Sequence, residues 1–137
     1  MIRNLKKHGA GSEDLLDVYI KQVRCVLELA APVWNSGIKG AESQQLERFQ
    51  KAAFSIILGR KYTSYNQALL SLKMDTLKDR RKILCENFAK KSQGHEKFSS
   101  WFTPSDQLTP TFQPVPYRTK RYKTSPLPYL TSLLNGE

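Results

Sequence analysis

Two histidines, two cysteines and five aspartates are the first candidates for proton, nucleophile or metal chemistry in this chain of 137 residues. Their spacing argues against all three. His8 and His95 each lie beside a glycine at a helix flank, and no serine or cysteine has a base at the spacing that would activate it. Both histidines read as solvated surface. Cys25 and Cys85 sit inside helical patterns at no metal or redox spacing, so they read as buried reduced thiols. Asp14, Asp17, Asp75, Asp79 and Asp106 are nowhere adjacent, and each suits a helix first turn or a loop. A two-metal site needs clustered carboxylates that hold the ions a few ångströms apart. Neither a GxxxxGK phosphate loop nor a GxGxxG turn is present. The expectation is therefore no catalytic residue, no metal and no cofactor.

What the chain has in excess is positive charge: 22 Lys and Arg against 12 Asp and Glu, a net +10. Such a surplus favours a polyanion over an acidic-patch partner. From Lys61 to Gly94 there are eight Lys or Arg against three acids, and the stretch YRTKRYK, Tyr117 to Lys123, has four against none. The longest apolar runs, VLELAAPVW and FSIIL, fall short of the ~20 residues of a membrane span. The N-terminus MIRNLKKHGAGS lacks the apolar stretch of a signal peptide. A soluble, intracellular chain is expected, in nucleus or cytoplasm, with no membrane partner.

Helices must position these cations. Ser12, Glu13 and Asp14 form a helix start, with an N-cap residue and two acids facing the dipole. Leu16, Tyr19, Ile20, Val23, Val26, Leu27 and Ala30 then recur on one helical face. Pro32 should end that helix near Ala31. A second helix is predicted from Ala41 or Ser43 to Leu58, with Leu46, Phe49, Ala53, Ile56 and Ile57 inward, Phe54 and Leu58 widening the stripe, and Gly59 as its stop. Ser64 and Gln67 open a short third helix, and Thr76 and Asp79 a fourth that runs to Gly94 with Leu77, Ile83, Leu84 and Phe88 inward. Six of the seven prolines lie between Pro104 and Pro128, so residues 104 to 126 read as an extended arm. The fold class is all-α, about four helices in a domain at 1–103, followed by a basic, Pro-rich extended arm at 104–137 with a short apolar end.

Three blocks carry a family resemblance: DLLDVYIKQVRCVLELAAPVW, then QQLERFQKAAFSIILG, then YTSYNQALLSLKMDTLKDRRKILCENFAKK. In order and spacing they resemble the region after the polymerase palm in reverse transcriptases of non-long-terminal-repeat retrotransposons, jockey-like elements in particular. There the blocks usually read like vYttyIRPvLEYaaPVW, LErvQKRAlRiIlg and YxxALxxLxLxxLexRRxxLCxxFAkK. The tail RTKRYKTSPLPYLTSLLN is similar to the family's usual ending. The chain departs from the pattern at Cys25 and Leu29, where the family often has proline and tyrosine, and at Ala52 and Ser55, where it often has basic residues. Losing those two cations should weaken phosphate contact.

The resemblance implies the thumb and C-terminal part of an RNA-directed DNA polymerase, a helical unit that packs beside the primer–template duplex. The palm with its paired aspartates is not in this sequence, so the chain alone is expected to be a non-catalytic fragment. Its partner would be RNA or DNA duplex, bound weakly and without sequence preference, together with the missing palm. Phosphate contacts are expected from Arg48, Lys51, Arg60, Arg80, Arg81, Lys82, Arg118, Lys120 and Arg121. Pro32 and Trp34 would be structural, the proline ending the first helix and the indole wedging against the second. The alternative is a helical protein-interaction module, docking through the Phe54 and Leu58 stripe without nucleic acid.

Overall fold

Helices and turns make up most of the described residues, which are 1–106 and 111–136 of a computed structural model, and no strand is among them. In chain order the helices are α1 (Ile2–Lys7), α2 (Ser12–Val18), α3 (Cys25–Glu28), α4 (Ala31–Trp34), α5 (Gly40–Leu58), α6 (Tyr65–Leu72), α7 (Leu77–Gln93), α8 (Lys120–Lys123) and α9 (Pro126–Leu134). The all-α expectation holds. The four expected helices correspond to the run from Ser12 to Glu28, α5, α6 and α7, and the shorter α1, α4, α8 and α9 are additional. None of these helices is long and apolar enough to cross a membrane. The chain groups into two compact units, Met1–Leu29 with Lys39–Arg80, and Ala30–Ile38 with Arg81–Glu137. This grouping differs from a domain at 1–103 and an arm beyond it.

In the first unit two of the three expected caps act where the sequence placed them, whereas Ser12 lies inside α2, whose N-cap is Gly11 with no side-chain bond. Ser64 Oγ accepts from the Gln67 amide at 3.3 Å, and Thr76 Oγ1 from the Asp79 amide at 3.1 Å. Gly59 ends α5 at φ +55°, where a Cβ would also come within 2.7 Å of Lys6 Nζ. That ammonium donates to the carbonyls of Ile56 and Ile57, satisfying acceptors that the last turn of α5 leaves open. The core gathers Ile2, Leu15, Tyr19, Ala53, Phe54, Ile57 and Ala68. Between α2 and α3 lies a π-helical turn, Tyr19–Arg24. Such a turn adds a residue to the repeat and rotates the faces beyond it. Leu15, ahead of the turn, is buried, Leu16, Ile20 and Val23 are partly so, and Val26, past the turn and expected inward, is 66% exposed. Phe49 is also exposed, its expected place taken by Gln50, and Cys25 is exposed rather than buried.

In the second unit, Cys85, Ala89, Phe102 and Leu130 form the core, with Phe112, Leu127, Tyr129, Leu133 and Leu134 packed around them. The face that α7 buries runs Leu77, Arg81, Cys85 and Ala89, four residues apart. Of the expected inward residues Leu77 is buried and Leu84 partly so, whereas Ile83 and Phe88 are exposed and Arg81, Cys85 and Ala89 take their place. The extended arm is also corrected. Residues 107–110 and 137 of it lie outside the described residues. The arm's described part on either side of 107–110 is tied together: Ser105 N donates to Thr111 O and Gln113 N to Thr103 O, each at 2.9 Å. The Asn135 amide clamps Phe112, accepting from its N–H at 2.9 Å and donating to its carbonyl at 3.0 Å. Pro126 stands in the first turn of α9, where the missing N–H would have had no intrahelical acceptor, so proline starts this helix instead of preventing it.

Candidate nucleic-acid interface

The cations that could meet phosphate divide by their surroundings. In the first unit Arg48 and Lys51 are exposed on α5, three residues apart and so on neighbouring parts of one face. Lys51 Nζ lies 5.0 Å from the centroid of the Tyr65 ring. Arg60 is exposed in the 3-10 turn Gly59–Lys61. Arg80 is otherwise engaged. Its Nε lies 3.2 Å from Glu28 Oε1, and the same oxygen lies 3.4 Å from Arg24 Nε. A carboxylate only 12% exposed between two guanidiniums neutralises much of the charge that a phosphate would seek.

In the second unit Arg81 overturns its expected role. It is 1% exposed, its Nε donates to Asn35 Oδ1 at 3.0 Å, and its guanidinium sits 5.7 Å from the centroid of the Trp34 ring. A side chain so enclosed cannot reach a duplex; it holds the unit together. Lys82 is exposed and 4.0 Å from Glu86 Oε1, a weak surface pair. Arg118, Lys120 and Arg121 are exposed, and none forms an ion pair with a described residue. Thr119 Oγ1 caps α8 by accepting from the Tyr122 amide at 3.2 Å, which fixes the turn carrying Lys120 and Arg121.

Pro32 has a different part from the one expected. The preceding helix ends at Glu28, the chain turns at Ala30 with φ 51° and ψ 29°, and Pro32 falls in the first turn of α4. Proline therefore begins a helix here. The Trp34 ring faces the Arg81 guanidinium. Asn35 joins this group by donating to Tyr129 Oη at 3.1 Å, and burial pushes the Tyr129 phenol and the Cys85 thiol above their ordinary values.

Sequence reading missed the polar centre of the first unit. Gln50 is fully buried; its Oε1 accepts from Tyr19 Oη at 2.8 Å, and its Nε2 donates to Tyr65 Oη at 2.8 Å and to the Asp75 carbonyl at 2.9 Å. Tyr65 Oη donates in turn to Glu47. Burial raises the pKa of both phenols, and for Tyr65 the Glu47 carboxylate adds to it. Every polar atom of Gln50 is used, so the network joins elements and leaves no open group for substrate. An open groove of about 470 Å³ in the second unit is lined in part by Tyr117, Lys123, Tyr129, Ser132, Asn135 and Ser36, the last with a buried hydroxyl that has no hydrogen-bond partner among the described residues. Asn135 is committed to Phe112, and Ser132 Oγ to the Tyr129 carbonyl at 2.8 Å. A scan against protein-family models and searches of curated proteins and of solved structures each return no match.

Proposed function

We propose that this chain is a non-catalytic helical unit of the kind that follows the palm in non-long-terminal-repeat RNA-directed DNA polymerases, and that it contacts nucleic-acid duplex through phosphate. The observation that carries the reading is the open cation group Arg118, Lys120 and Arg121, presented without a described acidic partner beside a capped turn. The ordered resemblance of the three sequence blocks supports it. Phosphates carry no base information, so binding is weak and insensitive to sequence.

The test is fluorescence anisotropy with labelled DNA and RNA–DNA duplexes from low to physiological salt. With Lys82, Arg118, Lys120 and Arg121 in contact, the log–log slope is expected at roughly −3 to −4. Replacing Arg118, Lys120 and Arg121 by Ala should make it shallower by about 2 to 3. A slope near zero, or one unchanged in the triple variant, overturns this reading.

A second reading has its own observation. Phe49 is 61% and Leu70 79% exposed in the first unit, where large apolar side chains gain most from cover. A protein-docking module would use these residues. Phe54 cannot take that part, being fully buried. Partner binding that survives high salt and is lost in Phe49→Ser or Leu70→Ser would favour this alternative.

A further inference from the structure

Beyond the end of α7, three rings recur at three-residue spacing: His95, Phe98 and Trp101. The His95 and Phe98 centroids lie 4.8 Å apart at 30°, and those of Phe98 and Trp101 4.6 Å apart at 47°. The backbone that spaces them is bonded throughout. Phe98 N donates to His95 O at 2.9 Å, Trp101 N to Phe98 O at 3.0 Å, and Phe102 N to Ser99 O at 3.2 Å. The next residue turns the other way: Phe102 is 4% exposed and meets the Phe112 ring edge-on at 6.0 Å. Trp101 is thus fixed at its base by a core residue while its indole stays 43% exposed. Core packing accounts for Phe102 and ring stacking for Phe98, but neither needs an open indole at the end of the ladder. The charge nearby in sequence is positive, with exposed Lys90, Lys91 and Lys97 against Glu96.

We propose that the ladder His95–Phe98–Trp101 is a stacking platform for an unpaired base of single-stranded nucleic acid. A pre-ordered aromatic face, with exposed cations close to it in the chain, suits base stacking with phosphate attraction, and every base offers a π-face. In a duplex those faces are covered by neighbouring base pairs. The ladder therefore selects a strand that is unpaired, which duplex contact through Arg118, Lys120 and Arg121 does not do. The local charge also disfavours a cationic peptide as occupant.

The chain has two tryptophans, so Trp34→Phe leaves Trp101 as the sole indole reporter and keeps a ring for Arg81. Titrating this variant with oligo(dT), with oligo(U) and with a duplex of equal length should quench Trp101 only with the single strands. The DNA and RNA arms tell which sugar is preferred. By anisotropy, Trp101→Ala should weaken single-strand binding about 5- to 150-fold, while Trp101→Phe loses much less. Duplex affinity should stay within about twofold in both, given that a paired base offers no face to the ring. An unquenched indole, or single-strand affinity unchanged in Trp101→Ala, overturns the proposal, as does equal loss on single strand and duplex. The duplex salt slope is read independently, so failure of the ladder and failure of duplex contact give different results.

Discussion

At the centre of Met1–Leu29 with Lys39–Arg80, the buried polar group is Gln50, which exchanges hydrogen bonds with Tyr19, Tyr65 and the Asp75 carbonyl. At the centre of Ala30–Ile38 with Arg81–Glu137, it is Arg81, held by Asn35 and the Trp34 ring, and Asn135 secures a loop through the Phe112 backbone. The first unit joins its helices through Gln50 and two phenols, with the Glu47 carboxylate accepting from Tyr65 at the edge. The second encloses a cation and ties irregular chain by side chain-to-backbone bonds. A closed network centred on a buried amide has much to lose when that amide is removed, because its other members stay buried. A clamp on a half-buried loop has less, because water can replace it.

That difference sets the largest expected effect. Gln50→Leu keeps most of the volume but leaves Tyr19 Oη and the Asp75 carbonyl without partners. It should cost about 3 kcal/mol or more in a denaturant titration. Adding Tyr19→Phe removes one orphan, so the double variant should be less destabilised than the sum of the singles. Strict additivity would mean that the two side chains do not depend on each other. Asn135→Ala in the second unit should cost about 1 to 2 kcal/mol, with faster hydrogen exchange at the Phe112 amide. A cost equal to that of Gln50→Leu would erase the contrast between network and clamp.

The same contrast explains how much could be read from sequence. Ser64 with Gln67, Thr76 with Asp79, and Gly59 act through groups within a few residues, so their positions alone placed the ends of α5, α6 and α7. Burial of Gln50 and Arg81 depends on hydrogen-bond partners 15 to 46 residues away, which no periodic pattern contains. Counting polar residues as outward therefore put Phe49 and Phe88 inside, and both are exposed. The π-helical turn rotated the faces of Tyr19–Arg24 with no glycine or proline to announce it. For the candidate site, exposure of Arg48, Lys51, Arg60, Lys82, Arg118, Lys120 and Arg121 agrees with their charge. Arg80 and Arg81 were misplaced because charge alone does not reveal a nearby carboxylate or ring.

The smallest expected effect separates the units by pH. Burial raises the Cys85 thiol above its ordinary 9.0 in the second unit, and the Tyr19 phenol above its ordinary 10.0 in the first. Both are neutral acids whose folded pKa exceeds the unfolded one, so the unfolded chain ionises first. The stability they contribute is complete below the unfolded pKa and is lost as pH rises through the folded value, at up to ~1.4 kcal/mol per pH unit for each group. The thiol should begin this loss near pH 9 and the phenol near pH 10, where Tyr65 and Tyr129, raised by burial as well, join it. Denaturant titrations under reducing conditions at half-unit steps from pH 8 to 11 read both limbs. Cys85→Ala lowers stability at every pH through the volume it removes, so the readout is the slope and not the level. It should flatten the limb between about pH 9 and 10 and leave the steeper one above. Tyr19→Phe should do the reverse, easing the decline above pH 10 alone. If the early limb persists without Cys85, the thiol is not its source, and the alkaline behaviour of the two units is no longer distinct.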